Sequence, residues 1–163
     1  MNVGITGHQK LDDPQAWLWV AEVLRDELLK IPQPLLGVTS LAIGADQLLA
    51  ALVLELGGSV HAILPYRDIE RSFSNEDLKM FQKLVSQATV EILSTPGTDE
   101  DAYLAAGKRV VDLSEVVLAV WNGLPAKGKG GTADVVSYAR KEGRPVVVIN
   151  PVRRTISPAP KLS

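Results

Sequence analysis

Residues 37–64 read GVTSLAIGADQLLAALVLELGGSVHAIL. The run Gly37–Ile43 is short, apolar and partly β-branched, and it predicts a strand. At Gly44 the period changes. Leu48, Leu49, Leu52, Val53 and Leu56 fall on one side of a helix, and Gly57-Gly58 ends it. Val60–Leu64 predicts the next strand, which Pro65 stops. A strand, a helix and a strand in unbroken succession form a βαβ unit, whose two strands lie parallel and whose crossover is right-handed.

The same alternation continues in both directions. Upstream, Asn2–Thr6 predicts a strand. A helix follows from about Pro14 to Leu29, with Trp17, Val20, Leu24 and Leu28 on its buried side. Downstream, the polar stretch Tyr66–Ser74 reads as a loop, and a helix runs from Ser74 to about Ala88. Val90–Leu93 is a short strand. Asp99, Glu100 and Asp101 open a helix reaching Asp112, where acids suit the positive end of the dipole. Val116–Val120, a helix over Thr132–Glu142 and a last strand Val146–Ile149 complete the pattern. The fold class is therefore α/β: a doubly wound, mainly parallel sheet in three layers, helices on both faces. Residues 1–150 read as one domain, and 151–163, with Pro151, Pro158 and Pro160, as a poorly ordered tail.

Composition narrows the function classes. The chain of 163 residues is long enough for one buried core and carries a formal charge of -2. Such an acidic body argues against a nucleic-acid partner, even with Arg153, Arg154 and Lys161 in the tail. The absence of cysteine excludes disulfides, thiolate metal sites and a cysteine nucleophile. With only His8 and His61, no metal centre and no cofactor is expected. No leader opens the chain and no apolar stretch reaches the roughly 20 residues of a membrane span, so a cytoplasmic protein is expected.

In an open parallel sheet, ligands bind beyond the carboxyl ends of the strands. The residues there are Thr6-Gly7-His8, Gly44-Ala45-Asp46, Pro65-Tyr66-Arg67 and Trp121-Asn122-Gly123, followed by Gly130-Gly131-Thr132 at a helix start. Small residues at these junctions let a ligand approach the backbone, and helix N-termini offer N–H groups to an anion. Together they predict a site for a phosphate-bearing nucleotide, with Trp121 available to stack on a base. The dinucleotide fingerprint G-x-G-x-x-G is absent, because no third glycine follows Gly4 and Gly7. Gly123 to Lys129 matches the start of a P-loop, but Gly130 stands where the magnesium-binding hydroxyl belongs. Asp46 and Asp134 each sit in a first helical turn, where a carboxylate either caps the helix or faces a ribose.

The segments Gly4–His8, Ala42–Asp46, Ala119–Gly123 and Gly130–Thr132, in this order, resemble the SLOG superfamily. That group holds the core of DNA-processing protein A, the LONELY GUY phosphoribohydrolases once miscalled lysine decarboxylases, and molybdenum-cofactor carrier proteins. The resemblance implies a Rossmann-like, nucleotide-binding domain and a homodimer, for which Tyr103, Leu104 and Val111 are the expected contacts. The phosphoribohydrolases carry P-G-G-x-G-T-x-x-E, whose glutamate acts on the ribose. Here Gly131-Thr132 matches G-T, the glutamate position falls on Val135, and Asp134 lies one residue early, about 100° around the helix. Two functions follow beside plain nucleotide or nucleotide-sugar binding. One is N-glycoside hydrolysis of a nucleoside 5′-monophosphate, with Asp134 or Asp46 at the sugar and Arg67 or Lys108 on the phosphate. The other is single-stranded DNA binding, as in DNA-processing protein A.

Overall fold

The N-terminal strand β1 (Asn2–Gly7) becomes the middle of a sheet because Val3 and Ile5 point to one face while Gly4 and Thr6 point to the other, and all four are buried. The computed structural model describes residues 1–125 and 131–157. After β1 come α1 (Ala16–Leu29), β2 (Leu36–Thr39), α2 (Ala45–Glu55), β3 (Ser59–Leu64), a 3-10 turn at Ile69–Ser72 and α3 (Asn75–Val85). The chain goes on through β4 (Ala88–Ile92), α4 (Asp99–Leu113), β5 (Val116–Val120), α5 (Thr132–Lys141), β6 (Val146–Asn150) and β7 (Thr155–Ser157). The described strands form one sheet in the order β4-β3-β2-β1-β5-β6-β7, parallel except for the antiparallel pair β6 and β7. This is the doubly wound, Rossmann-like α/β architecture expected.

Both faces of the sheet are covered. Val20, Leu24 and Leu28 of α1 pack with Leu49, Leu52 and Val53 of α2 over Val3, Ile5, Val60 and Leu118. On the opposite face, Ala106 and Val110 of α4 meet Val38 and Ile63, while Val135, Val136 and Ala139 of α5 meet Val117 and Ala119. The chain thus moves outward from β1 to β4, crosses to the other face through α4, and resumes at β5 beside β1. No helix among the described residues is long and apolar enough to cross a membrane.

Two expectations need correction. Strand β2 stops at Thr39, four residues before Ile43, because local polar groups take the backbone donors. The Thr39 hydroxyl accepts the Leu41 N–H at 3.1 Å, Asp46 accepts the Ala42 N–H at 3.4 Å, and Leu41 turns to φ +57°. The tail is ordered through residue 157, since β7 covers the open edge of β6. The Asn150 side chain holds that turn, accepting the Val152 and Arg153 N–H groups at 3.0 Å each. Pro158, Pro160 and Lys161 lie outside the described residues. Of the residues expected at a dimer contact, Leu104 is half-buried, and the other two have partners within the chain. Val111 is fully buried against α5 and β5, and the Tyr103 hydroxyl lies 3.2 Å from that of Tyr66.

Candidate functional site

Strands β1 and β5 are neighbours, yet the chain leaves them toward opposite faces, and this reversal opens a crevice at their carboxyl ends. His8 spans it. Its N–H donates to the Val120 carbonyl at 3.0 Å, its carbonyl accepts the Ala45 N–H at 3.2 Å, and its Nε2 accepts the Asn122 N–H at 3.0 Å. With Nε2 an acceptor, the ring proton sits on Nδ1. Burial lowers the His8 pKa, outweighing the contributions of Asn122 and Asp12, so the ring is neutral. Gly7 is required here for packing. A Cβ on it would stand 2.6 Å from the Ala45 Cβ and 2.9 Å from the Val120 carbonyl oxygen, so only glycine lets α2 start this close to the sheet.

The crevice encloses a cavity of about 440 Å³. Its walls are Thr6 and Gly7 of β1 and His8 just after it, Ser40, Ala42 and Asp46 from the β2–α2 junction, and Trp121 and Asn122 after β5. Gly131, Thr132 and Ala133 from the first turn of α5 face it, with Val135 one turn further on. The first N–H groups of a helix have no intrahelical acceptor, so this turn presents donors. Trp121 is held by its own loop, its Nε1 donating to the Leu124 carbonyl at 2.9 Å.

Asp46 is the one carboxylate on the described walls, and it is 8% exposed. Burial pushes it up to about 7; hydrogen bonds from the Ala42 and Ser40 backbone and from Thr39 oppose this but are outweighed. The group therefore exchanges its proton in the neutral range, and it acts on the loop as much as on the cavity.

The structure gathers Thr6, Gly7, His8, Asp46, Trp121, Asn122, Gly131 and Thr132 onto one wall system. Other expected residues stand elsewhere. Gly44 and Ala45 lie behind His8, where they pack α2 rather than line the cavity. Pro65 is buried at the end of β3, Tyr66 reaches the site only through Tyr103, and Arg67 is exposed. Gly123 is exposed at φ +84°, and Gly130 lies outside the described residues. Asp134 is exposed and off the wall, because the helix phase that turns Val135 inward turns its neighbour outward. Lys108 lies over the Tyr138 ring, 5.3 Å from its centroid, and Arg109 pairs with Glu91 at 3.2 Å. No lysine or arginine is on the described walls.

Sequence reasoning missed two residues of α4, Tyr103 and Gly107. Gly107 carries a readable signal, since a glycine inside a helix costs about 1 kcal/mol and calls for a packing reason. A Cβ there would meet the Val135 Cγ2 at 2.6 Å, so the glycine lets α4 and α5 close together beside the cavity. Burial and the Tyr66 hydroxyl raise the Tyr103 phenol to about 12, so it stays a neutral donor.

No family model matches the chain, and no curated protein matches it by sequence. Solved structures do resemble it. DNA processing protein A from Streptococcus pneumoniae superposes with a TM-score of 0.67 at 22% identity, over 91% of this chain and 50% of that one. A DNA processing protein A from Helicobacter pylori, described for its single-stranded DNA binding mode, gives 0.67 at 18%, over 92% and 65%. The Moco carrier protein from Chlamydomonas reinhardtii gives 0.55 at 19%, over 90% and 74%. The chain thus spans half to about two thirds of the length of the two DNA processing proteins. These similarities cover about nine tenths of the chain, and the shared fold is a Rossmann-like α/β domain.

Proposed function

We propose that this chain binds a small phosphate-bearing ligand of the nucleotide type, its phosphate at the first turn of α5. The observation that carries this reading is the 440 Å³ cavity at the β1–β5 reversal, walled on one side by Gly131, Thr132 and Ala133. A cavity of that size suits a ligand of a few hundred daltons. Helix N-termini hold phosphate through backbone N–H groups without needing lysine or arginine, which agrees with described walls that carry neither. The Thr132 hydroxyl adds a donor there. Trp121 offers a ring for a base, and Asp46 a group that either accepts from or donates to sugar hydroxyls.

The hydrolase reading loses its first candidate, since Asp134 is off the wall and Val135 faces inward where the resembling motif has a glutamate. It now rests on Asp46 alone. The expectation that a nucleic-acid partner is unlikely has no support from the comparisons, because one neighbour is described for its single-stranded DNA binding mode. Small-ligand binding stays the preferred reading because the described walls lack the cations a strand's backbone attracts.

Calorimetric titration with nucleoside 5′-monophosphates tests it. Wild type is expected to bind at least one with a defined stoichiometry and to release no free base. Gly131→Val, at an extended backbone position with φ -72° and ψ 170°, is expected to fold normally and lose that binding. Undiminished affinity in the variant would remove the phosphate from the turn.

A further inference from the structure

The cavity wall that follows β5 is a small turn. Trp121 anchors its root, its N–H donating to the Ile149 carbonyl at 3.0 Å and its side chain packing against the cluster that holds Val117 and Ala119. Beyond that root the turn is closed on itself. The Trp121 Nε1 donates to the Leu124 carbonyl at 2.9 Å, the Asn122 Oδ1 accepts the Leu124 N–H at 3.0 Å, and Gly123 takes φ +84° between them. Two hydrogen bonds tie Asn122 outward. Its N–H donates to His8 Nε2 at 3.0 Å, and its carbonyl accepts from the Asn150 side chain at 3.4 Å. The first is the shorter, and it joins the turn to the end of β1 across the crevice. Asn122, Leu124 and Pro125 all line the cavity, so the position of the turn sets this wall.

His8 can make this bond in one protonation state alone. A neutral ring with its proton on Nδ1 offers the Nε2 lone pair, whereas an imidazolium carries an N–H on both nitrogens and accepts nothing. Protonation therefore sets one donor against another, and the bond to Asn122 breaks. The His8 backbone is held on both sides, by the Val120 carbonyl and by the Ala45 N–H, so the turn is the part that gives. Asp12, in the segment after β1, and the Asn122 side chain favour the charged ring and offer its new proton a partner. Asp46 of α2 and Tyr103 of α4 share the cavity with it. Burial opposes these groups and outweighs them, which keeps the ring neutral at neutral pH.

We propose that His8 is a proton-operated latch on the Asn122–Leu124 turn. The neutral ring holds that wall of the cavity in place, and the protonated ring releases it, so the site loosens on acidification. His8 thereby acts on a ligand through Asn122, as a positioning residue. The regulation rests on the nucleotide reading above for the ligand it controls, while the latch itself belongs to the chain without ligand.

Nuclear magnetic resonance of the isotope-labelled full chain tests the latch without ligand, in a titration from about pH 8 to about pH 5 that spans the histidine range. The Asn122 amide proton is expected downfield at the neutral end. It should move upfield as the ring protonates, with a midpoint below the ordinary histidine value of 6.5 and with the Leu124 amide following it. His8→Gln supplies an amide oxygen as acceptor and does not titrate, so its Asn122 amide is expected to hold still. An Asn122 amide that does not move in wild type, or that moves equally in the variant, would overturn the latch. Calorimetry with AMP at both ends of the range tests the regulation. Ionisation of the phosphate and of Asp46 acts alike in both proteins, so the difference between them isolates His8. Wild type is expected to lose about tenfold more affinity on acidification than His8→Gln, the worth of about one hydrogen bond. Equal losses would overturn the regulation. A relative gain in wild type would overturn it too, because a positive ring acting by charge alone tightens an anion. AMP bound by neither protein at either pH would overturn the nucleotide reading and its regulation together, with the amide titration still deciding the latch.

Discussion

Folding takes the Asp46 carboxyl out of water, and its direction of shift fixes how stability responds to pH. Its folded pKa, about 7, lies above the ordinary carboxylate value of 3.8. Between those values the folded chain holds a proton that the unfolded chain has released. The stabilisation is therefore complete below about pH 4 and is lost as pH rises through 7. The slope is about 1.4 kcal/mol per pH unit while one proton separates the states. Asp46→Asn keeps an acceptor for the Ala42 N–H and does not titrate, so urea melts of the variant are expected to lack this decline and to exceed wild type above pH 7. Parallel curves for the two proteins would show that Asp46 ionises normally. Position 134 calls for the opposite expectation. Asp134 is exposed on the outer side of α5, so Asp134→Asn is expected to leave nucleotide affinity within about twofold, under 0.5 kcal/mol. A large loss by calorimetry would return Asp134 to the site.

At the scale of elements, the site depends on how closely α4 and α5 approach. Adding a methyl group at Gly107 gains up to about 1 kcal/mol of helix propensity. It also drives that methyl to 2.6 Å from the Val135 side chain, an overpacking cost of about 1–3 kcal/mol. Gly107→Ala is expected to lower the urea midpoint without changing the slope, and Val135→Ala in the same chain is expected to recover part of the loss. Additive effects would mean that the two helices do not press on each other here. The far edge of the sheet has its own test. Strand β7 pairs with β6, Arg154 lies 5.8 Å over the Trp19 ring, and its guanidinium is 4.0 Å from Asp13. Ending the chain at Pro151 is expected to cost about 1–3 kcal/mol through the lost ladder bonds, read as a lower melting temperature. An unchanged melting temperature would show that β7 adds nothing to the sheet.

For the whole molecule, ligand and fold are linked because the walls of the cavity come from β1, the β2–α2 junction, the β5 end, α4 and α5, which exist together only in the native state. A ligand present at about a hundredfold its Kd stabilises such a state by about 2.7 kcal/mol. In a domain of this size that corresponds to roughly 5–11 °C in melting temperature. A thermal-shift screen over nucleotides and nucleotide sugars should therefore show a clear rise for the true ligand class and none for unrelated anions such as sulfate. Equal shifts for sulfate would reduce the site to a general anion effect.

The alternation of apolar strands with helical periods is enough by itself to determine the layers, the parallel sheet and the strand ends that meet. These follow from local period and from the handedness of βαβ crossovers, which any chain of this pattern obeys. The reach of β2 is not legible from local pattern, because residues 41–43 are apolar by composition while the Leu41 and Ala42 backbone donors are taken by Thr39 and Asp46. Which carboxylate faces the cavity was also beyond sequence reading. Asp46 and Asp134 both lie in the first turn of their helices, as the second residue of α2 and the third of α5, and their phase together with the rotation of each helix against the sheet turns one inward and the other out. Tyr103 and Gly107 belong to a helix whose crossover lays it across β1, β2 and β3, so they join residues near position 8 and position 132 only after the sheet has closed. The sequence decided where ligand chemistry is possible, because strand ends are local. Tertiary structure decided which side chains share it, because helix rotation and crossover position depend on packing across the whole sheet.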